Sequence, residues 1–277
     1  MTSIATNLAQ PSADLLAAVL QIARQASVAI MQVYASEFAV ENKSDNSPLT
    51  RADRDAHRII TAALQQLTPD IPVLSEESPA DQHEYATRRH WPTLWLVDPL
   101  DGTREFINRN GEFTVNIALI HHQHPTLGVV AVPAMELAYI GAIGLGAYRV
   151  DAHATLPIQT HRPARQIPIV VGSRSHRANS LDALLTQLGP HELWAVGSAL
   201  KFCRLAEGAA DFYPRLGPTS EWDTAAGQAV LAAAGGQVLN LQGEPLRYNR
   251  HETLLNPHFM AVGDPHFAWQ PLLEPAC

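Results

Sequence analysis

Acidic residues occur in this chain where charge is not normally found. Asp98 ends the apolar run Leu94-Trp95-Leu96-Val97, and Val73-Leu74 leads into Glu76–Glu77 in the same manner. Asp53 and Asp223 complete the set. The ends of strands in layered α/β folds are where sites gather. Pro99 stiffens the Asp98-Pro99-Leu100-Asp101 turn, which can aim both carboxylates and the Leu100 carbonyl at one point. Hard divalent cations want that oxygen set, Mg²⁺ in particular. Converging carboxylates repel one another and are driven to protonate unless cations sit among them. Two Mg²⁺ ions would balance Glu76, Asp98, Asp101 and Asp223, with room for a third. Such a pair, roughly 3.5–4 Å apart, suits in-line displacement at phosphorus. A short helix starting at Gly102–Thr103 would present backbone N–H groups to a phosphate, and Gly102 would let the anion approach closely. Taken alone, Asp98 and Asp101 could simply cap a helix and brace a turn. The acids taken together favour the metal reading.

The elements that must position these groups can be read from periodicity. In Ser12–Ser36, the residues Leu16, Val19, Leu20, Ala23, Ala26, Ile30 and Val33 fall near helical spacing, with Ser12 as N-cap. A second helix is predicted over about Asp53–Leu67 and ends before Pro69 and Pro72. Strands are predicted at Pro72–Ser75, Thr93–Asp98, Phe113–Ile120, Leu127–Val132 and Leu137–Gly141. In the third of these, Phe113, Val115, Ile117 and Leu119 alternate with Thr114, Asn116 and Ala118, the pattern of a half-buried strand. Leu156–Pro168 is rich in Pro, His and Arg and reads as the junction between an N-terminal half, 1–155, and a C-terminal half, 156–277. Beyond it come a strand at Ile169–Gly172, a helix at Ala178–Leu188, a strand at Leu193–Val196, helices at Ala199–Glu207 and Asp223–Ala234, and a strand at Gln237–Leu239. That alternation predicts a layered α/β second half.

Composition excludes several classes. With 277 residues, 46% of them hydrophobic and 17% charged, the chain can bury a large core and is neither disordered nor a coiled coil. A net charge of -8 repels polyanions, which argues against a DNA or RNA polymer as partner. A small phosphorylated molecule stays compatible, because bound metal inverts the local field. The two cysteines form no zinc or disulfide pattern, and Cys203 reads as a small buried hydrophobe. No signal peptide and no stretch of about 18 apolar residues is recognised, so no spanning helix is expected. The cytoplasm is the expected location, and peripheral docking on the cytoplasmic side of the inner membrane is compatible with it.

These motifs resemble a known family. Asp98-Pro99-Leu100-Asp101-Gly102-Thr103 is similar to the DPxDGT signature of the inositol monophosphatase superfamily, and Trp222-Asp223-Thr224-Ala225-Ala226-Gly227 to its WDxAAG signature. Glu76-Glu77-Ser78 resembles its GEES segment, with Ser75 where Gly is common, and Ser47 to Asp53 resembles SPxTxAD. The resemblance runs over nearly the whole chain. Arg104-Glu105-Phe106-Ile107, the stretch Arg109-Asn110-Gly111-Glu112-Phe113-Thr114-Val115-Asn116 and Gly197-Ser198-Ala199-Leu200-Lys201-Phe202 resemble the CysQ-type 3′(2′),5′-bisphosphate nucleotidases within it. The resemblance implies a five-layered αβαβα sandwich, the sugar-phosphatase fold. It implies hydrolysis of the 3′-phosphate of adenosine 3′,5′-bisphosphate (PAP), and of the sulfated form PAPS, by metal-activated water without a phosphoenzyme. Sensitivity to Li⁺ and a place in sulfate assimilation come with it. Glu76, Asp98 and the Leu100 carbonyl would hold one Mg²⁺, and Asp98, Asp101 and Asp223 the second. Thr103, paired with Asp53, would orient or deprotonate the attacking water, with Glu77 supporting that shell. Gly102 and Thr103 would contact the phosphate being cleaved, and Ser198 and Lys201 the rest of the substrate, along with Glu76, Leu100, Asp101 and Asp223. Another phosphatase of the superfamily, acting on inositol or sugar phosphates, is the neighbouring alternative, and a non-catalytic metal-binding regulator a more distant one. A monomer or a homodimer would serve.

Other residues have two readings. His121, His122 and His124 lie between two strands and read as a hairpin loop rather than a metal site. Gly172 to His176 could meet a second phosphate or be an ordinary strand-to-helix loop. Lys43 is a further phosphate candidate, and Arg149, Arg162 and Arg165 read as surface charge.

Overall fold

The computed structural model describes residues 8–36, 39–42, 48–173 and 179–273. Lys43, Ser47, Arg174–His176 and Cys277 lie outside them. The chain opens with α1 (Ala13–Tyr34), capped by Ser12, whose Oγ accepts from Leu15 N at 3.2 Å. The short antiparallel strands β1 (Val40–Asn42) and β2 (Pro48–Thr50) lead into α2 (Arg51–Leu67). Next come β3 (Val73–Ser75), α3 (Ala80–His83), α4 (Tyr85–Arg88), β4 (Thr93–Asp101), α5 (Thr103–Ile107), β5 (Thr114–His121), β6 (His124–Val132), β7 (Leu137–Ala142), β8 (Gly146–Val150) and β9 (Thr155–Ile158). The strands β3 to β9 form a seven-stranded sheet in sequence order, parallel only between β3 and β4. The second half runs β10 (Ile169–Ser173), α6 (Asn179–Leu188), β11 (Glu192–Val196), α7 (Leu200–Ala206), β12 (Phe212–Arg215), α8 (Glu221–Ala233), β13 (Gln237–Asn240) and β14 (Phe259–Val262). Its five-stranded sheet has the order β11-β10-β12-β14-β13.

Strand periodicity explains how the layers stack. Trp95, Val97, Val115, Ile117 and Val129 point from one face of the large sheet into a core shared with α1 and α2. Leu94, Leu96, Ala118, Ile120 and Val130 point the other way, against α7, α8 and one face of the small sheet. Val170, Phe212, Met260 and Val262 cover the far face of the small sheet, with Leu181, Leu184 and Leu185 of α6 and with Trp269. The result is the expected αβαβα sandwich. It corrects the reading of β5: Thr114 to Ile120 are all buried, because helices cover both faces. The polar alternation in β5 marks groups aimed at a site, not at solvent.

The middle layer depends on close approach. On α8, Glu221 and every residue from Thr224 to Leu231 are buried, so the helix has little polar face to show. Gly128 on β6 and Gly141 on β7 let it lie directly on the sheet. A Cβ at Gly128 would land on the Ala226 carbonyl oxygen, and one at Gly141 would come within 2.9 Å of Val230 Cα. A Cβ at Gly227 would enter the Phe202 ring. The Ala-Ala-Gly of the second motif is thus a packing device.

Several expectations are revised. The strands β8, β9, β12 and β14 were not anticipated, and Leu156–Ile158 of the expected junction pair with β8. Arg165 is no simple surface charge: it reaches Asp211 Oδ1 at 2.8 Å and Gly208 O at 2.8 Å, because Asp211 is only 1% exposed and needs a cation. Arg162 donates to Thr160 Oγ1 at 3.0 Å and packs on Gly235. By length and composition, α1 is long and apolar enough to cross a membrane, contrary to the expectation that no such stretch exists. Its apolar side, including Leu15, Val19, Ala23 and Ile30, packs instead into the protein's own core. His121 and His124 close the β5–β6 hairpin around His122-Gln123, both at positive φ, as the hairpin reading expects.

Replacing Gly128 with Ala should force α8 off the sheet and cost about 1–3 kcal/mol. A urea melt reads this directly, and an unchanged midpoint would mean that the close approach is not needed.

Candidate active site

The Asp98 to Asp101 segment does not leave the sheet as a turn. It stays in β4, with a register shift against β5 between Asp98 and Asp101. The shift rotates the acids toward one side. Leu100 N donates to Asp98 Oδ1 at 3.0 Å. Gly102 then adopts φ +88°, a region open to glycine, and α5 begins at Thr103. A side chain at Gly102 would also meet Ser198 Cβ at 3.3 Å. The glycine is therefore required by backbone conformation and packing, in addition to any ligand.

Two helix starts face this segment, and they are built alike. Asp53 is the third residue of α2, and its Oδ2 accepts from Thr50 N at 2.8 Å and Thr50 Oγ1 at 2.6 Å. Asp223 is the third residue of α8, and its Oδ2 accepts from Ser220 N at 2.9 Å. Each carboxylate closes a capping box and lies where the helix dipole favours negative charge. Thr103 Oγ1 lies 3.3 Å from Asp53 Oδ1 and 3.3 Å from the Leu100 carbonyl. Behind α8, the neighbouring Glu221 accepts from Asn249 N at 2.8 Å, and burial pushes its carboxyl up to about 7. Arg88, fully buried, ties that loop down through Asn249 Oδ1 and the carbonyls of His251 and Glu252.

Asp98, Asp101 and Asp223 converge, with one oxygen of each within 4.8 Å of the others. Burial, followed by the charges of Glu76, Asp101 and Asp223, raises Asp98 well above the usual carboxylate range. Asp223 is raised in the same way by burial and then by Asp101 and Glu76. Asp101 is raised only to about 6, mainly by burial, because Lys201 and hydrogen bonds oppose the shift. All its hydrogen bonds reach Oδ2, from Ala199 N at 2.6 Å, Asn116 Nδ2 at 3.3 Å and Thr114 Oγ1 at 3.4 Å. A hard divalent cation fits this donor set: crowded, all-oxygen, open to the cavity and costly to ionise without a counter-charge. Glu76 lines the same cavity, its backbone N donating to Val97 O at 3.0 Å. Glu77, the next residue, lines a neighbouring hollow with Arg51, Arg54 and His57.

The cavity over these acids holds about 300 Å³. Lys201, only 6% exposed, lines it and donates to Ser198 O at 2.6 Å and Val196 O at 3.3 Å. Burial brings its pKa down to about 8, although Asp101 opposes the shift. Ser198 lines it too, with its Oγ buried and without a hydrogen-bond partner among the described residues. Arg215 adds a second cation, held by Thr219 Oγ1 at 2.6 Å and Pro218 O at 2.8 Å. Ser173 reaches the cavity, whereas the rest of the Arg174–His176 loop lies outside the described residues. Arg215, Asn116 and Thr114 were missed by sequence reasoning. Polar residues alternating within an apolar strand could have revealed Thr114 and Asn116; Arg215 ends β12, which was not recognised. A larger groove of about 840 Å³ between α1 and residues 131–138 contains none of these converging charges.

Comparison with known proteins agrees with this geometry. The family model described as "Inositol monophosphatase family" matches residues 12–267. The 3′(2′),5′-bisphosphate nucleotidase CysQ of Escherichia coli O157:H7 is 55% identical over 243 residues, covering 87% of this chain and 96% of the relative. The protein of that name from Haemophilus influenzae is 39% identical over 263 residues, covering 94% and 97%. The crystal structure of CysQ from Bacteroides thetaiotaomicron, a bacterial member of the inositol monophosphatase family, superposes with a TM-score of 0.78 at 42% identity, covering 90% of this chain and 97% of that one. With the acid set, both motifs and the layered fold in place, the chain belongs to the inositol monophosphatase family.

Proposed function

We propose that the protein is a Mg²⁺-dependent 3′(2′),5′-bisphosphate nucleotidase that hydrolyses the 3′-phosphate of PAP to give AMP and phosphate, with PAPS as a second substrate. One observation carries this reading: a single cavity is lined both by carboxylates, Glu76, Asp101 and Asp223, and by cations, the buried Lys201 with Arg104 and Arg215. A molecule bearing two phosphates matches such a mixed lining, one phosphate meeting the acids through bound cations and the other meeting the protein's own. The names of the relatives point to the same substrate.

Glu76, Asp98 and the Leu100 carbonyl would hold one cation, and Asp98, Asp101 and Asp223 another. The chemistry such cations supply is charge stabilisation on the phosphoryl and leaving oxygens. Thr103 positions the attacking water. Its single proton is engaged by Asp53 or the Leu100 carbonyl, so an oxygen lone pair remains to accept from water. Asp53, held in place by Thr50, receives the proton. Ser198 and Lys201 hold the phosphate that does not react. The first half thus supplies most of the reacting machinery, and the second half supplies Asp223 and the grip on the remainder of the substrate. A small soluble nucleotide of this kind accords with a cytoplasmic location.

Phosphate release from PAP should depend on Mg²⁺ and exceed release from inositol 1-phosphate. The reverse order would favour an inositol phosphatase. Lys201→Ala should lose the preference for PAP over 3′-AMP by about one to two powers of ten in kcat/KM, the size of one charge-assisted hydrogen bond. Equal losses on both substrates would place Lys201 at the reacting phosphate or in the fold.

Protonation should govern the metal-free protein. The folded values of Asp98, Asp101 and Asp223 lie above the ordinary 3.8, so the folded state binds more protons than the unfolded one. This contribution to stability is complete below 3.8 and is lost as pH rises, for Asp101 through about 6. The Tm of chelator-treated protein should therefore fall over that range, and Mg²⁺ should restore it more at pH 8 than at pH 5. Asp98→Asn should nearly abolish turnover while raising the metal-free Tm at pH 8. Near-normal activity in that variant would refute the ligand assignment.

A further inference from the structure

The short turn Gly197-Ser198-Ala199, which joins β11 to α7, reaches the cavity through Ser198. Its backbone is fixed from the other half of the molecule. Gly197 N donates to Glu112 Oε2 at 2.9 Å, and Ala199 N donates to Asp101 Oδ2 at 2.6 Å. The flanking N–H groups are thus taken by two carboxylates of the first half. Ser198, between them, is held at φ +46°, a left-handed conformation that is costly for a residue with a Cβ. Stitching the halves together would not require this, since a glycine would sit there without strain. Two features indicate what the conformation is for. Ser198 lines the cavity while its own hydroxyl is buried with no partner among the described residues, and the Ser198 carbonyl accepts from Lys201 Nζ at 2.6 Å. A buried hydroxyl without a partner calls for one that the protein does not supply.

Glu112 stands on firm ground. The next residue, Phe113, is fully buried and packs against Tyr34 and Phe106 with ring centroids 5.1 and 5.2 Å away. Glu112 N accepts a further constraint by donating to Asn110 Oδ1 at 2.9 Å. Gly197 lies so close that a Cβ there would come within 2.7 Å of the Glu112 carbonyl oxygen and 2.9 Å of Glu105 Cγ. The side chain that meets the turn is therefore anchored by its buried neighbour Phe113 and lies in close contact with Gly197, as positioning groups require.

We propose that Glu112 is a positioning residue for substrate selectivity. By holding Gly197 N it keeps Ser198 left-handed, and so places both the Ser198 hydroxyl and the Lys201 ammonium against the phosphate that is not cleaved. Glu112 is not among the residues lining the cavity and acts on the substrate through the turn. The inference rests on the bisphosphate reading given above and adds to it the group that sets the preference.

The test uses the full-length protein with Mg²⁺ and compares PAP with 3′-AMP, which offers the same reacting phosphate without the second. Glu112→Ala should raise KM for PAP about tenfold, the scale of one lost charge-assisted contact, with kcat changed less than threefold. The ratio of kcat/KM for PAP to that for 3′-AMP should fall by the same factor. Glu112→Gln, whose amide oxygen can still accept from Gly197 N, should keep most of the ratio. Glu112→Asp retains the charge but withdraws the acceptor by one methylene, so it should behave like the alanine variant and replaces it should that variant fail to fold. In combination with Ser198→Gly, Glu112→Ala should add little to the loss caused by the glycine alone. An unchanged ratio in Glu112→Ala and Glu112→Asp overturns the proposal, as does a glutamine variant as poor as the alanine. If the wild-type protein itself shows no preference for PAP, the bisphosphate reading fails, and the positioning role fails with it.

Discussion

Mutual repulsion among buried carboxylates is the constraint on which this structure turns. Asp98, buried, and Asp101 and Asp223, partly buried at the cavity, bring oxygens within 4.8 Å of one another. No fold gains stability from such a cluster by itself. The surrounding elements therefore have to impose it. Asp98 and Asp101 are locked into a buried central strand, and Asp223 is fixed by a capping box at the start of α8. Hydrogen-bond donors reach Asp101 from β5 and from the Gly197-Ser198-Ala199 turn. The strain is divided among elements that are each firmly held for other reasons.

The position of α8 matters most in this respect. It carries Asp223 across from the second half and must lie close to the large sheet for that carboxylate to reach β4. The absence of side chains at Gly128 and Gly141 allows the approach, and the small residues Ala225, Ala226 and Gly227 complete it. The packing of the middle layer and the geometry of the site are thus one problem. A displacement of the helix that would be minor elsewhere would here separate the acids, since a buried interface is rigid and transmits shifts.

The cavity carries charge of both signs. Glu76, Asp101, Glu105 and Asp223 line it together with Arg104, Lys201 and Arg215. In a chain with a net charge of -8, a substrate bearing two phosphates would be repelled at long range. Local cations such as Lys201 and Arg215 have to offset that field over a few ångströms. Burial lowers Lys201 to about 8 and Asp101 opposes the shift, so the ammonium persists at neutral pH. The acids and the lysine therefore support each other's ionisation.

Much of this was legible in the chain itself. The placement of Asp98 and Asp101 after an apolar run, and of Asp53 and Asp223 at helix starts, follows from local pattern, because capping chemistry and strand alternation act over a few residues. The helices α1, α2 and α8 and the strands β4 to β7 were visible for the same reason. What remained hidden depends on contacts distant in sequence. That β5 is buried on both faces, so that Thr114 and Asn116 point at Asp101, is settled by the two helical layers that cover it. That Arg215 joins Lys201 depends on β12, a short strand paired with β14 some forty-five residues later, about as non-local as a pairing in this sheet becomes. Glu77 stands beside Glu76 in sequence, yet the two line different hollows. Local chemistry selected the residue types and their candidate roles; only the stacking of two sheets on one helical layer decided which of them would meet, because convergence is a property of distances that no short stretch of chain contains.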